Sequence, residues 1–259
     1  IDMFSLRLSS NVTKWQIFKL SIPIFFSNLA IPLVGIVDTG LMGHLESEKY
    51  LIAVSIASTF LTIIFWSFGF LRMGTVGLVS QTFGKSDYRE LVNIILRNFC
   101  IAFIIAFLII IFKPVLINII FEIFGVSSET NSFIKDYISI RVFSAPAELT
   151  IYVLIGFFLG IQRTIISSSL IIMLSILNIC FSIYFVNELG LNVKGVAFGT
   201  LLSAYITFFS FSVYTYFYFI KRFKVIPRFA YKKLFNFKKI FKLLIINFNI
   251  FIRTVLLTF

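Results

Sequence analysis

Apolar residues in this chain fall into long unbroken runs, with polar residues confined to the gaps between them. Six runs stand out, at about 17–42, 50–76, 92–112, 134–161, 164–186 and 195–220, and a seventh begins near 243 and continues to Phe259. A helix needs about 20 apolar residues to cross the hydrocarbon layer of a bilayer, and each of the six supplies them. The runs are too long and too continuous for the alternating strands of about ten residues that build a membrane barrel. Helices also satisfy their own backbone hydrogen bonds in lipid. The pattern therefore predicts an all-α, polytopic transmembrane helix bundle. A shorter run, 114–124, opens with Pro114 and reads as an interfacial connection rather than a span.

The gaps suggest three parts: a six-helix bundle over 1–220, a basic linker over 221–242, and the start of a further helix over 243–259. Basic residues cluster before the first run (Arg7, Lys14, Lys19), between the second and third (Lys85, Arg89, Arg97), between the fourth and fifth (Arg163), and after the sixth. Positive charge marks cytoplasmic loops, so the N-terminus and the linker are expected in the cytoplasm. The tetrapeptide Ile17-Phe18-Lys19-Leu20 recurs as Ile240-Phe241-Lys242-Leu243, a short match in a chain rich in these residues.

Composition sharpens the class. Hydrophobic residues make up 59% and charged residues only 13%, against about a quarter charged in a soluble domain. Mean hydropathy is +1.01. The formal charge of +12 could suggest a nucleic-acid partner, but its confinement to alternate loops makes it a topological signal. In the linker it can also hold anionic lipid headgroups. The 35 Phe residues form no regular stripe and read as lipid-facing bulk.

The sequence carries no catalytic constellation and no phosphate-binding glycine loop, so neither an enzyme nor an ATP-driven pump is expected, and no cofactor. His44 stands without a second His or a Cys to form a metal site. Cys100 and Cys180 fall inside predicted spans and read as small apolar residues.

Intramembrane polar residues say more. Asp38 is the lone charge between Ser21 and Met42. A carboxylate there costs roughly 2.5–3.5 kcal/mol on insertion scales and usually marks an ion or substrate pathway. Pro23 and Pro32 in the same run remove backbone donors and are expected to bend it. Arg141 and Glu148 are seven residues apart, on one face of a continuous helix, and suit an ion pair. Arg72 is placed near the inner end of the second span, where it can snorkel. Ser175, Asn178 and Ser182 share a helix face, with Thr200 available from the sixth run, for packing or for lining a cavity.

Four stretches give a family resemblance: Ile31-Pro-Leu-Val-Gly-Ile-Val-Asp-Thr-Gly-Leu-Met-Gly-His-Leu45, Phe70-Leu-Arg-Met-Gly-Thr75, Ser80-Gln-Thr-Phe-Gly84 and Arg141-Val-Phe-Ser-Ala-Pro-Ala147. So do Gly156 to Gln162, Asn178-Ile179 and Gly195-Val-Ala-Phe-Gly-Thr200. Together they resemble the multidrug and toxic compound extrusion (MATE) family, and its DinF-like branch most closely. The resemblance implies a cation-coupled antiporter, with proton ahead of sodium as the driving ion, exporting organic cations, drugs or toxic metabolites across the cytoplasmic membrane. It implies twelve spans in two six-helix lobes around a central cavity. Asp38 then matches the ion-coupling carboxylate of the first helix, and Asn178 and Thr200 match cavity-lining residues. Ser182 departs from the family pattern, which has a carboxylate there, and Glu148 has no counterpart and could compensate. With one lobe and the start of a seventh helix present, the resemblance leaves three readings of the other lobe: a second chain supplies it, two copies of this chain associate, or the chain is a degenerate remnant. The alternatives are a partner-dependent or inactive half-transporter, or a relative that flips lipid-linked sugars.

Overall fold

In a computed structural model that describes residues 14–45, 47–125, 127–227 and 252, the first apolar run forms one helix, α1 (Lys14–Gly43), with Pro23 and Pro32 inside it. Pro32 has no N–H to offer the Asn28 carbonyl one turn back, yet neither proline ends the helix. The second run is broken in the middle. Helix α2 (Glu48–Ser67) starts at Ser47, whose side chain accepts from the Lys49 backbone N–H, and turns through Phe68 and Gly69 into α3 (Phe70–Gly84). The Ser67 hydroxyl donates to the Ile63 carbonyl at 2.9 Å, and Gly69 follows, a combination that bends helices. Together they make one 37-residue span, Glu48–Gly84, eight residues longer at its end than the sequence pattern indicates.

Asp87 caps α4 (Tyr88–Ile111) by accepting from the Glu90 N–H at 3.1 Å. The run after it is a helix of its own, α5 (Lys113–Phe124), started by Pro114 and stopped by Gly125 at φ +51. Its 12 residues reach about 18 Å, too short to cross a bilayer. The fourth span is interrupted too: α6 (Ser128–Arg141) passes through a 3₁₀ turn, Val142–Ser144, into α7 (Ala145–Gly160). Pro146, without an N–H, accounts for the break. Helices α8 (Thr164–Ile183) and α9 (Asn192–Tyr218) each close on a π turn, Tyr184–Glu188 and Phe219–Phe223. The result is a bundle with six runs long and apolar enough to span a membrane. The seventh helix expected from 243 and most of the linker lie outside the described residues.

Helix α7 is the core of the bundle: its span is 72% buried, whereas that of α1 is 6% buried. Small residues let α3 and α7 approach closely. A Cβ on Gly156 would stand 2.6 Å from the Arg72 carbonyl oxygen, and one on Gly160 2.7 Å from Val79 Cγ1. Arg72 thus sits at the start of α3, in the middle of the 37-residue span and close to Tyr152 of α7, not at a membrane-facing end. The expectation failed because the span continues to Gly84, well past the end read at 76.

Charge divides between the two ends. The α3–α4 turn, the α7–α8 turn and the end of α9 meet through Tyr88 stacked on Phe223 at 4.6 Å and through Phe83. That end carries Lys85, Arg89, Arg163, Lys221, Arg222 and Lys224. The opposite end holds Glu48, Glu129, Asp136 and Glu188, with ion pairs Lys49–Glu129 and Lys194–Asp136 tying α2 and α9 to α6.

Candidate functional site

Six helices, α1, α2, α6, α7, α8 and α9, enclose a cavity of about 670 Å³ in the half of the bundle away from the basic end. Of the residues singled out in the sequence, Asp38, Pro32, Arg141, Glu148, Ser175, Asn178 and Thr200 line it. Pro23, about two and a half turns before Pro32 on α1, is not part of this lining. Ser182 lies behind the wall, fully buried, where its hydroxyl faces Asp38 across the α1–α8 contact.

Asp38 projects from the last third of α1. Its Oδ1 is buried without a hydrogen-bond partner. Behind it, Ser182 Oγ donates to Asn178 Oδ1 at 3.4 Å, Asn178 Nδ2 donates to Thr200 Oγ1 at 2.9 Å, and Thr200 Oγ1 donates to the Val196 carbonyl at 3.1 Å. This chain of bonds locks the α8–α9 wall with no charge in it. The closeness of the two helices comes from Gly199, where a Cβ would stand 2.7 Å from both Ser182 N and Ser182 Oγ.

Across the cavity, Arg141 forms an ion pair with Glu148 and hydrogen-bonds Ser144. Ser144 Oγ also donates to Glu148 Oε1 at 2.8 Å. The guanidinium lies 5.2 Å from the centre of the Phe65 ring, a cation–π contact that adds to its hold. The seven-residue spacing delivered the pair although the helix breaks between its members, since the 3₁₀ turn keeps both on the cavity side. The cavity thus holds two carboxylates and one guanidinium, a formal surplus of one negative charge if all are ionised. That surplus sits with Asp38, since Glu148 is neutralised.

Two sets of lining residues were not anticipated. Helix α2 contributes Ser55, Ser58, Thr59 and Thr62, and α6 contributes Tyr137. The α2 set was legible: hydroxyls at i, i+3, i+4 and i+7 mark one helix face in an otherwise apolar run. Tyr137 carries no such signal. His44 Nδ1 is 2.6 Å from the Gly40 carbonyl in the last turn of α1, a local contact. Cys100 and Cys180 are free thiols. Among the described residues, no three His, Cys, Asp or Glu side chains group as a metal would require.

Six runs long and apolar enough to cross a membrane, five of them lining one cavity that carries Asp38, Arg141 and Glu148, define a multi-pass α-helical membrane protein. The MatE family profile matches residues 23–184, and the chain belongs to this family of transporters. It is 34% identical over 199 residues to DNA damage-inducible protein F of Escherichia coli (strain K12), covering 77% of this chain and 43% of that protein. Multidrug export protein MepA of Staphylococcus saprophyticus is 23% identical over 205 residues, covering 78% and 46%. A solved structure of a multidrug resistance MATE family transporter of the MOP superfamily, in an outward-facing conformation, superimposes with a TM-score of 0.74 at 21% identity. It covers 88% of this chain and 49% of that one, a likeness of fold. The chain therefore spans about half the length of the relatives it matches.

Proposed function

We propose that this chain forms the N-terminal lobe of a cation-coupled antiporter that exports organic cations or toxic metabolites, with Asp38 as the residue that binds the driving ion. The observation that carries this reading is the buried, unpartnered Oδ1 of Asp38 on the wall of a polar cavity. A carboxylate oxygen left without a partner in an apolar helix is costly to keep, and it is a ready acceptor for a proton or a small cation. The charged and titratable groups that face it are Tyr137 and Arg141 of α6 and Glu148 of α7, with the Ser182 hydroxyl on α8. Because Arg141 is held by Glu148, Asp38 is the group left to exchange its ligand. Glu148 then serves as the counter-charge that keeps Arg141 off Asp38, not as a second ion-binding carboxylate.

A proton favours one state of the cavity and an organic cation another, and only that difference in affinity can couple their movements. Cavity-lining hydroxyls on α2 and the Asn178–Thr200 pair give hydrogen bonds to a polar substrate without fixing its shape. The clustering of cations at one end of the bundle supports a cytoplasmic N-terminus and residence in the cytoplasmic membrane. The sparse burial of α1 supports a partner surface on that side, met by a second lobe.

The test is substrate-driven proton movement in proteoliposomes containing the 259-residue chain, alone and together with a C-terminal lobe from a MATE relative. Asp38→Asn is expected to abolish the signal while leaving ethidium binding measurable. Undiminished proton movement in Asp38→Asn would sink the assignment.

A further inference from the structure

The α8–α9 seam continues past the cavity wall toward the basic end, and its register is fixed at both extremes. At one end Gly199 lies against Ser182, and at the other Arg163 Nε donates to the Tyr218 hydroxyl at 3.1 Å. Between these points the antiparallel pairing carries a succession of buried polar side chains down a single line. Asn178 bonds Thr200 next to Ser182, and the register set by the two end contacts orders the buried Ser203, Ser175, Thr207 and Ser168 after them along the pair. On α8 these positions share one face, as do Thr200, Ser203 and Thr207 on α9.

The two halves of this line differ. Near Asp38 every hydroxyl on α9 is satisfied within the protein: Thr200 as described, and Ser203 Oγ by donating to the Thr200 carbonyl at 2.9 Å. Farther along, Thr207 Oγ1 and Ser168 Oγ have no hydrogen-bond partner, although the two residues are 0% and 3% exposed. Hydroxyls in apolar helices ordinarily bond the carbonyl one turn back, and Thr215 and Ser169 do so here at 2.7 and 2.8 Å. Thr207 and Ser168 depart from that default, and the helix period sets them on the faces that carry Thr200 and Ser175. Leaving each unmade costs about 1–3 kcal/mol, whereas a water with several polar partners removes the cost.

Successive polar groups on the line are one to two helical turns apart, about 5–11 Å, which one to three waters can bridge. We propose that the α8–α9 seam is a hydrated, hydroxyl-lined proton path joining Asp38 to the basic end of the bundle. It rests on the reading of Asp38 as the ion-binding residue, and past the cavity-lining Asn178, Thr200 and Ser175 it leads the proton away from the space that the substrate occupies. Each water passes one proton onward and receives another, and the hydroxyls reorient, so no charge stays on the protein between Asp38 and the far end. The fixed positive charge of Arg163 at the mouth opposes a standing leak.

Hydration and proton passage can be measured separately. In X-ray hydroxyl-radical footprinting of the full chain in nanodiscs, Ile171, which flanks the seam, is expected to be oxidised well above the fully buried Leu149 of α7. Oxidation of Ile171 no greater than that of Leu149 would show a dry seam and overturn the proposal. In proteoliposomes loaded with a pH dye, Thr207→Val is expected to slow proton flux about tenfold, the effect of one lost hydrogen bond on a rate. Thr207→Ser should restore it, which a packing role would not predict. Flux unchanged in Thr207→Val overturns the path even if the seam is wet. Flux that needs Thr207 but survives Asp38→Asn would leave the path standing and remove Asp38 as its terminus.

Discussion

Gly199 and Ser182 meet backbone to backbone: a Cβ added at Gly199 would stand 3.0 Å from Ser182 Cα and 2.7 Å from its nitrogen. This contact sets the spacing of α8 and α9, and so the geometry of the Asn178–Thr200 bond that backs Asp38. Gly199→Ala is expected to force the helices apart and destabilise the bundle by about 1–3 kcal/mol, the usual cost of overpacking. Thermal unfolding in detergent checks this. An unchanged midpoint would mean the two helices slide freely.

Removing the carboxylate whose Oδ1 has no partner should have the opposite effect. Asp38→Asn deletes a buried charge without changing shape, so the variant is expected to gain about 1 kcal/mol and melt roughly 2–4 °C higher while losing proton-driven activity. A protein that melts lower would show that Asp38 is held by contacts that stabilise it.

The Arg141–Glu148 pair should behave as a unit. Either Arg141→Gln or Glu148→Gln alone leaves a partly buried charge with nothing opposite it, for a loss of up to about 3 kcal/mol. The combined change should cost less than the sum of the two. A double-mutant cycle on melting stability reads that difference. Additive losses would mean that the two charges do not interact. Glu148→Gln has a second consequence: Arg141, released, can turn to Asp38, and organic-cation binding should weaken.

Ser182→Asp would place a second carboxylate behind Asp38, where the wider family has one. Two like charges at this depth repel, so sodium or another small cation is expected to raise the melting temperature of the variant by more than it raises that of the wild type. Equal shifts in the two proteins would show that position 182 does not share an ion with Asp38.

The number and class of the helices were readable from the sequence because lipid imposes one rule on every span. The breaks within spans two and four were not read, although Gly69 and Pro146 stand at them. Apolar runs continue across these breaks, and hydropathy does not register a bend. Asp38, Asn178 and Thr200 could be found because a polar residue in an apolar run is conspicuous. The α2 stripe from Ser55 to Thr62 follows the same rule and was overlooked among so many apolar residues. Ser168, Ser203 and Thr207 lay beyond reach for a different reason. A lone hydroxyl in a span is usually satisfied by its own helix, and only coordinates show which ones are not.

Of the six spans, the one that carries Asp38 is the least buried. Ser27 and Met42 are the buried residues among those described on α1, against twelve on α7. The inward contacts of α1 are mainly with α8 and α2, and most of its length faces away from the rest of the bundle. Substitutions on that outward face therefore change what α1 meets there without disturbing the packing around α7.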